Sequence, residues 1–207
     1  MAKVVYAQVP YNIIPGWFSA EDDYYGTGAA IDDINGDGFP DLAISNGNDM
    51  DTTPNVAYIN SGGFMPETAA WVSENIAYSG HCELADYDSD GFPELAVSNY
   101  ISSDWAATRV HIYDNIDGIL ENSPSWVSSE TMHTFRLAWG DADGDGDLDL
   151  AVATGEAYNS FFESNLIYFN NDGILETEAG WFSEDLDACY DVRWVDIELD
   201  GDLDLVF

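Results

Sequence analysis

The chain has almost no positive charge. Only four of its 207 residues are Lys or Arg, against 40 Asp and Glu, which gives a formal net charge of −36. A surface of this sign repels the phosphates of nucleic acids and the anionic headgroups of membranes. The composition therefore excludes nucleic acid as a partner. It suits a secreted protein from a salty or calcium-rich setting, or simply a very soluble protein.

Cysteine is scarce and long apolar runs are absent. Cys82 and Cys189 stand at non-equivalent places in the chain, and two cysteines so placed do not make a disulfide framework. No apolar run approaches the ~18 residues of a membrane span. Residues 4–7 are too short for the apolar part of a signal peptide. We therefore expect no membrane span, and an extracellular or cell-surface protein would be present here as a mature form or as a trimmed part of a longer chain.

The sequence also lacks helical periodicity and familiar catalytic motifs. It has no Ser-His-Asp order, no phosphate-binding Gly loop before a helix and no Cys/His zinc spacing. It consists instead of short runs of branched and aromatic residues, separated by Gly, Asn and Asp. Hydrophobic residues make up 46% of the chain, which is enough for a core in spite of the charge. We predict one all-β domain over residues 1–207 that is not an enzyme.

Four acidic loops share one pattern. In residues 141–149, Asp stands at positions one, three, five, seven and nine, with Gly at positions four and six. Similar loops lie at residues 33–41, 86–94 and 196–204, and their first residues are 53, 55 and 55 apart. Carboxylates at this density repel one another unless a hard cation lies among them, and Ca²⁺ accepts six to eight oxygen ligands in irregular geometry. The loops therefore predict up to four Ca²⁺ sites.

The EF-hand is the obvious rival, because its loop opens in the same way. An EF-hand needs a bidentate Glu at position twelve and a helix on each side. Position twelve is apolar in all four loops, and each of these residues lies in a short β-type run: Ile44, Val97, Val152 and Phe207. A loop that is closed by an acid at position nine and followed by a strand fits this sequence better.

The repeat extends beyond the loops. One Trp recurs at spacings of 54, 55 and 55 residues, and one Asn at spacings of 55: Trp17, Trp71, Trp126, Trp181; Asn60, Asn115, Asn170. Each period contains four short strand-like runs, which is the content of one propeller blade. A large aromatic at a fixed place in each blade predicts packing between blades.

The segment Ile31–Ala43 and its three counterparts resemble FG-GAP repeats, also described as VCBS-type repeats, of integrin alpha-chain propellers and many secreted bacterial proteins. The resemblance implies a β-propeller of four-stranded blades with Ca²⁺ between the inner and second strands. Glu198 departs from the pattern at position three of the fourth loop, as does Leu199 where Gly is usual. Position by position, the resemblance implies these Ca²⁺ ligands: Asp33, Asn35, Asp37, Phe39, Asp41; Asp86, Asp88, Asp90, Phe92, Glu94; Asp141, Asp143, Asp145, Asp147, Asp149; Asp196, Glu198, Asp200, Asp202 and Asp204.

The two ends of the chain are complementary. The chain begins with segments that match a third and an outer strand, and it ends on a second strand. We therefore predict that Leu203–Phe207 pairs with Lys3–Ala7, which closes the last blade of a monomeric four-bladed ring without an open edge. The alternative is a dimer in which two chains exchange these ends and build an eight-bladed ring.

Aromatic residues collect on the face opposite the calcium loops. Loops there vary most between repeats, as binding loops on a rigid scaffold do, although the same residues could simply cap the blade ends. They are predicted to bind a glycan or an extracellular protein: Tyr24, Tyr25, Tyr78, His81, Tyr100, Trp105, His133, Tyr158, Phe161 and Tyr190.

Five charged or ionisable residues lie near the starts of the inner strands: His81, Glu83, Arg136, Asp191 and Arg193. They could form an ion-pair network or a catalytic site, and the lack of catalytic motifs favours the ion-pair network. The sequence thus favours a calcium-binding extracellular module for binding or adhesion. A calcium-dependent polysaccharide-cleaving enzyme and a structural subunit of an extracellular assembly are the alternatives.

Overall fold

The structure is a computed structural model that describes residues 16–47, 51–102, 104 and 106–207. Within these ranges every regular element is a β-strand and none is a helix. The prediction of an all-β chain is therefore confirmed. The described residues contain no helix with the length and hydropathy that a bilayer crossing requires.

The strands form consecutive antiparallel units. Units 1, 2 and 3 each have an inner, a second, a third and an outer strand, whereas unit 4 has an inner and a second strand. Unit 1 contains β1 (Gly26–Asp32), β2 (Asp41–Asn46), β3 (Thr53–Tyr58) and the first half of β4 (Trp71–Ala85). Unit 2 contains the second half of β4, β5 (Glu94–Ile101), β6 (His111–Tyr113), the hairpin of β7 (Asn115–Ile116) and β8 (Ile119–Leu120), and β9 (Trp126–Val127). Unit 3 contains β10 (Thr134–Gly140), β11 (Asp149–Thr154), β12 (Leu166–Tyr168), the hairpin of β13 (Asn170–Asn171) and β14 (Ile174–Leu175), and β15 (Trp181–Phe182). Unit 4 contains β16 (Arg193–Val195) and β17 (Asp204–Val206).

Units 1 and 2 share one strand. β4 has 15 residues, and its first half pairs with β3 while its second half pairs with β5. The two units therefore form a single seven-stranded sheet, whereas unit 3 forms a separate four-stranded sheet. The repeat period predicts separate blades and does not reveal this continuity, although no Gly or Pro interrupts the chain at Ala77–Tyr78, where the pairing changes from β3 to β5.

The inner strands of successive units lie side by side, in the order β1, β4, β10 and β16. Glycine permits this close approach. A Cβ atom on Gly28 would lie 2.9 Å from the Cα of His81, and one on Gly80 would lie 2.7 Å from the carbonyl oxygen of Phe135. Because any larger residue would force these strands apart, the glycines bring the starts of the inner strands together at one end of the molecule.

The core lies between units rather than inside them. One buried cluster joins units 1 and 2, another joins units 2 and 3, and a third joins units 3 and 4. The first three periodic Trp residues pack edge-on against a Tyr in the third strand of the following unit, with ring centroids 5.1, 5.1 and 5.2 Å apart, in the pairs Trp17–Tyr58, Trp71–Tyr113 and Trp126–Tyr168. The predicted packing of these Trp residues between units is therefore confirmed.

Unit 4 is built differently from the other units in the described part of the chain. Among the described residues, β16 and β17 pair only with each other. The fourth periodic Trp stacks on the last residue, with the rings of Trp181 and Phe207 at 6.4 Å and nearly parallel. The predicted pairing of Leu203–Phe207 with Lys3–Ala7 lies outside the described residues, because residues 1–15 are not among them.

Candidate functional site

The four acidic loops have the same backbone geometry. In each loop the carboxylate at position one accepts a hydrogen bond from the amide of the Gly at position six. The lengths are 2.7, 3.1, 3.1 and 3.0 Å for Asp33–Gly38, Asp86–Gly91, Asp141–Gly146 and Asp196–Gly201. Each of these Gly residues has a positive φ, between 87° and 102°. The Gly at position six therefore lets each loop turn back on its position-one carboxylate.

The acid at position nine fixes each loop to the strand that follows it. Its carboxylate accepts the amide of position two at 2.9, 3.3, 2.7 and 2.9 Å, in the pairs Asp41–Ile34, Glu94–Tyr87, Asp149–Ala142 and Asp204–Ile197. In units 1 and 3 its second oxygen also accepts the amide of the periodic Asn, at 2.7 and 2.8 Å for Asn60 and Asn170. In units 1 and 3 the position-nine acid therefore joins the loop to the backbone that follows the third strand.

Three of the position-nine acids have a raised pKa. Asp41, Glu94 and Asp149 are buried, and burial raises the pKa of all three. For Glu94 the pKa rises to about 8, because the charge of Asp88 adds to the effect of burial. A divalent cation at the loop centre would favour the ionised form of each acid.

The carboxylates converge most closely in loops 2 and 3. Oxygens of Asp86, Asp88 and Asp90 lie within 4.8 Å of one another, as do oxygens of Asp141, Asp143 and Asp149. The Oδ1 atom of Asp86 is buried and has no hydrogen-bond partner. A set of clustered carboxylate oxygens with one left unpaired fits a hard oxygen-seeking cation, so the residues present suit Ca²⁺.

The remaining predicted ligands lie on the same loops. At position seven the amides of Phe39, Phe92, Asp147 and Asp202 donate to the carboxylate at position five, at 2.9, 2.9, 3.0 and 3.2 Å. In loop 4 a hydrogen bond to Asp204 raises the pKa of Glu198, so the longer side chain at position three approaches the acid at position nine. Position four is left-handed in all four loops: Gly36, Ser89, Gly144 and Leu199.

The periodic Asn residues connect successive loops, a role that the sequence did not predict. The Asn115 side-chain amide donates to the carbonyl of Pro93 in loop 2 at 3.1 Å and to that of Ile34 in loop 1 at 2.8 Å. Asn170 makes the same pair of bonds between loops 3 and 2, to Leu148 at 3.2 Å and to Tyr87 at 2.8 Å. The fixed spacing of Asn was the available signal, but only the fold reveals its two partners.

On the opposite face, four of the predicted aromatic residues line one cavity. Tyr78, Tyr100, Tyr158 and Tyr190 contribute to a pocket of about 500 Å³, together with Phe135 and Glu156. Residues from all four units reach it, since Thr27 and Gly47 belong to unit 1 and Tyr190 precedes the inner strand of unit 4. The cavity thus lies where the inner strands begin.

The other predicted face residues have different surroundings. His133 is buried, lies 2.8 Å from a carboxylate oxygen of Glu163 and stacks on Phe161 at 3.8 Å, so these two rings pack against each other. Tyr25 is exposed and Tyr24 is half-buried, and neither lines the cavity. Trp105 lies outside the described residues.

The charged residues near the inner strands form a chain of ion pairs. Arg136 lies 2.8 Å from Asp191 and 3.8 Å from Glu83, and Asp191 is in turn 3.6 Å from Arg193. His81 lies 3.9 Å from Glu83, but burial lowers the His81 pKa to about 4 and the charge of Arg136 adds to this effect, so the imidazole is neutral near pH 7. The interpretation as an ion-pair network is supported by these distances.

Comparison with known proteins agrees with the loop geometry. Residues 17–97 match the family model described as the FG-GAP-like repeat. No curated protein matches the chain. The matched segment includes loops 1 and 2, and loops 3 and 4 have the same hydrogen bonds between positions one and six and between positions nine and two. Residues 17–97 are therefore FG-GAP-like repeats, as the loop motif predicted.

Proposed function

We propose that this chain is a calcium-binding module of the β-propeller type that presents a binding face for a glycan or a protein outside the cell. The observation that carries the proposal is the hydrogen bonding that the four acidic loops share, together with the carboxylate clusters of loops 2 and 3. FG-GAP-like repeats are typical of extracellular proteins, where calcium is abundant enough to fill sites of modest affinity.

The role of Ca²⁺ follows from electrostatics. Positions one, three, five and nine supply the side-chain oxygens, and the position-seven carbonyl supplies a backbone oxygen. The ion would neutralise like charges that repel one another within a few ångströms. Because the unfolded chain offers no such arrangement, the free energy of binding adds to the free energy of folding.

Calcium and stability provide the test. Chelation is expected to lower the melting temperature steeply, and Asp145→Ala is expected to remove one ion per chain, measured by calorimetric titration. Glu184→Ala is the matched control, because Glu184 is an exposed acid outside the loops. A melting temperature that stays the same in chelator, or an unchanged ion count in the Asp145→Ala protein, would contradict the proposal.

We also propose that the ends of the chain close a four-bladed ring, with Lys3–Ala7 beside Leu203–Phe207. Two exposures support a covering partner for loop 4, which is unit 1 of the same chain in a four-bladed ring and unit 1 of a second chain in the dimer. Ile197 is 60% exposed, whereas its counterpart in loop 1, Ile34, is covered by the Asn115 hairpin and is 1% exposed. In a closed ring Asn60 would donate to the Ile197 carbonyl, as Asn115 does to Ile34.

Light scattering tests the closure. A monomer near the chain mass of 22.7 kDa supports a four-bladed ring. A stable dimer whose termini pair across chains contradicts it and supports the eight-bladed alternative. Cysteines introduced at Tyr6 and Leu205, followed by oxidation at low protein concentration, distinguish a link within one chain from a link between two chains.

A further inference from the structure

The aromatic rings that line the cavity are held in place by packing against one another. Phe135 lies 4.6 Å from Tyr100 and 4.9 Å from Tyr190, so three rings on units 2, 3 and 4 support one another. Rings that are already fixed lose little conformational entropy when a ligand covers them. The cavity is therefore preorganised.

The loop that carries Tyr158 is also fixed. Glu156 is buried, and its carboxylate accepts the amides of Tyr158 and of Asn159, the latter at 2.7 Å. The Tyr190 hydroxyl donates to the same carboxylate at 3.2 Å and accepts the amide of Ala157 at 2.9 Å. Despite these restraints, Tyr158 itself is 93% exposed. A rigid loop thus projects one uncovered aromatic ring at the rim of the cavity.

The charge of the cavity selects among ligands. Among the residues that the structure describes, no Lys or Arg lines the cavity, and the chain carries a net charge of −36, so phosphates, sulfates and uronates would be repelled. The carboxylate of Glu156 is already bonded to two amides and a hydroxyl, which leaves it poorly placed to pair with a cation. A neutral ligand is favoured over an ion of either sign.

The lining also combines apolar and hydroxyl groups. Aromatic rings offer apolar faces, and the phenol groups of Tyr78 and Tyr158 and the Asn159 side chain offer donors and acceptors beside them. A pyranose ring has the same combination, with C–H groups on its faces and hydroxyls around its rim. A cavity of about 500 Å³ suits one or two such rings and is too small for a folded segment of protein.

From these observations we propose that the cavity lined by Tyr78, Tyr100, Tyr158 and Tyr190 binds a neutral saccharide, with Tyr158 as an exposed stacking platform. The proposal rests on the binding face of the proposed function and assigns it a ligand class and a location. It involves no chemical step, so the saccharide is retained rather than cleaved.

The test uses the calcium-loaded protein and a defined set of probes. Xylan, galactomannan and mixed-linkage glucan are the neutral saccharides, polygalacturonate and heparin are the acidic ones, and choline is the organic cation. Binding is measured by affinity electrophoresis and by titration calorimetry with oligosaccharide fragments. We expect at least one neutral saccharide to bind, with no binding of the acidic ones.

Variants separate the cavity from the rest of the surface. Tyr158→Ala is expected to weaken saccharide binding at least tenfold without a change in melting temperature, because the ring is exposed. Tyr25→Ala removes an exposed Tyr outside the cavity and is expected to change affinity less than twofold. Tyr190→Phe is expected to weaken binding through a looser loop, since it removes the hydroxyl that Glu156 and Ala157 share.

Three outcomes overturn the proposal. They are the absence of binding to any neutral saccharide, binding that survives Tyr158→Ala, and tight binding of choline or an acidic saccharide in the same cavity. If a protein with normal calcium-dependent melting gives one of these results, only the saccharide assignment fails. If melting does not depend on calcium, the proposed function fails whatever the saccharide result.

Discussion

The side-chain amide of Asn115 lies 2.8 Å from the carbonyl oxygen of Ile34, which is 81 residues earlier in the chain. The same amide lies 3.1 Å from the carbonyl of Pro93, in the loop of its own unit. One planar group therefore fixes the distance between two acidic loops. Since each loop is a candidate calcium site, the position of one site depends on its neighbour.

Replacing Asn115 should weaken both loops. Asn115→Leu keeps the approximate shape but removes both hydrogen bonds, and we expect the free energy of unfolding to fall by about 2–4 kcal/mol. Asn171→Leu is the matched control, because the Asn171 side chain is exposed and donates within its own hairpin, to Glu176 at 3.4 Å, so its replacement should cost less than about 0.5 kcal/mol. Chemical unfolding with and without calcium measures both. Equal losses for the two variants would contradict a bridging role.

Leu199 occupies a strained position in loop 4. Its φ is 58°, in the left-handed region that branched side chains avoid, and its side chain is 85% exposed. Leu199→Gly should therefore raise the free energy of unfolding by about 1 kcal/mol, because the strain is relieved and little packing is lost.

Loop 3 supplies the reciprocal control for Leu199. Gly144 stands at the same place with a φ of 79°, and Gly144→Leu should lower the free energy of unfolding by a similar amount. Both changes are measured by thermal unfolding in calcium. A destabilised Leu199→Gly protein would show that the side chain has contacts worth more than the strain.

His111 should make the fold sensitive to acid. Burial, with a contribution from the charge of Arg109, lowers its pKa from 6.5 to about 4, and its Nδ1 lies 3.3 Å from the side-chain nitrogen of Asn75. The unfolded chain binds a proton at this site between pH 6.5 and 4 and the folded chain does not, so stability falls as the pH drops through that window. The loss is on the order of 3 kcal/mol at most.

The variant His111→Gln isolates this effect. Its stability relative to the unmodified protein should improve as the pH falls from 6.5 to 4 and should be constant above pH 7.5. Urea unfolding at a series of pH values gives the comparison. A difference that does not change with pH would mean that His111 titrates alike in both states.

Arg136 holds two acids near the inner strands. Arg136→Met keeps the apolar stem but leaves Glu83 without its Arg136 partner, and we expect a loss of about 1–3 kcal/mol. The double variant Arg136→Met, Glu83→Gln should recover part of that loss, because the half-buried charge is then gone. If the double variant is no more stable than Arg136→Met, the pair with Glu83 contributes nothing measurable.

The loops were predictable because their determinants are local. Acid spacing, the Gly at position six and the strand after position nine all lie within nine residues, and all four copies fold alike. The sequence predicted which face carries the aromatic residues, but it did not predict which of them line the cavity. Tyr100 and Tyr158 line the cavity, whereas His133 and Phe161 pack on each other, and that choice depends on contacts between units.

The continuous strand β4 was not predictable for a related reason. Ile76 and Ala77 carry no turn signal, which permits a continuous strand. Nothing else in the sequence requires the outer strand of one unit to run directly into the inner strand of the next. The equivalent segment before β10 contains only an isolated bridge, between Thr108 and Met132. Such differences arise from packing against neighbouring strands, which one repeat does not encode.

The shared strand also determines how the molecule would respond to mechanical load. Since β4 pairs with β3 along one half and with β5 along the other, a pulling force applied across units 1 and 2 acts on two hydrogen-bonded ladders joined by a single extended backbone. Between units 2 and 3 the chain leaves one sheet before it enters the next. That junction is the more compliant one, and under tension units 1 and 2 would stay together while unit 3 separates from them.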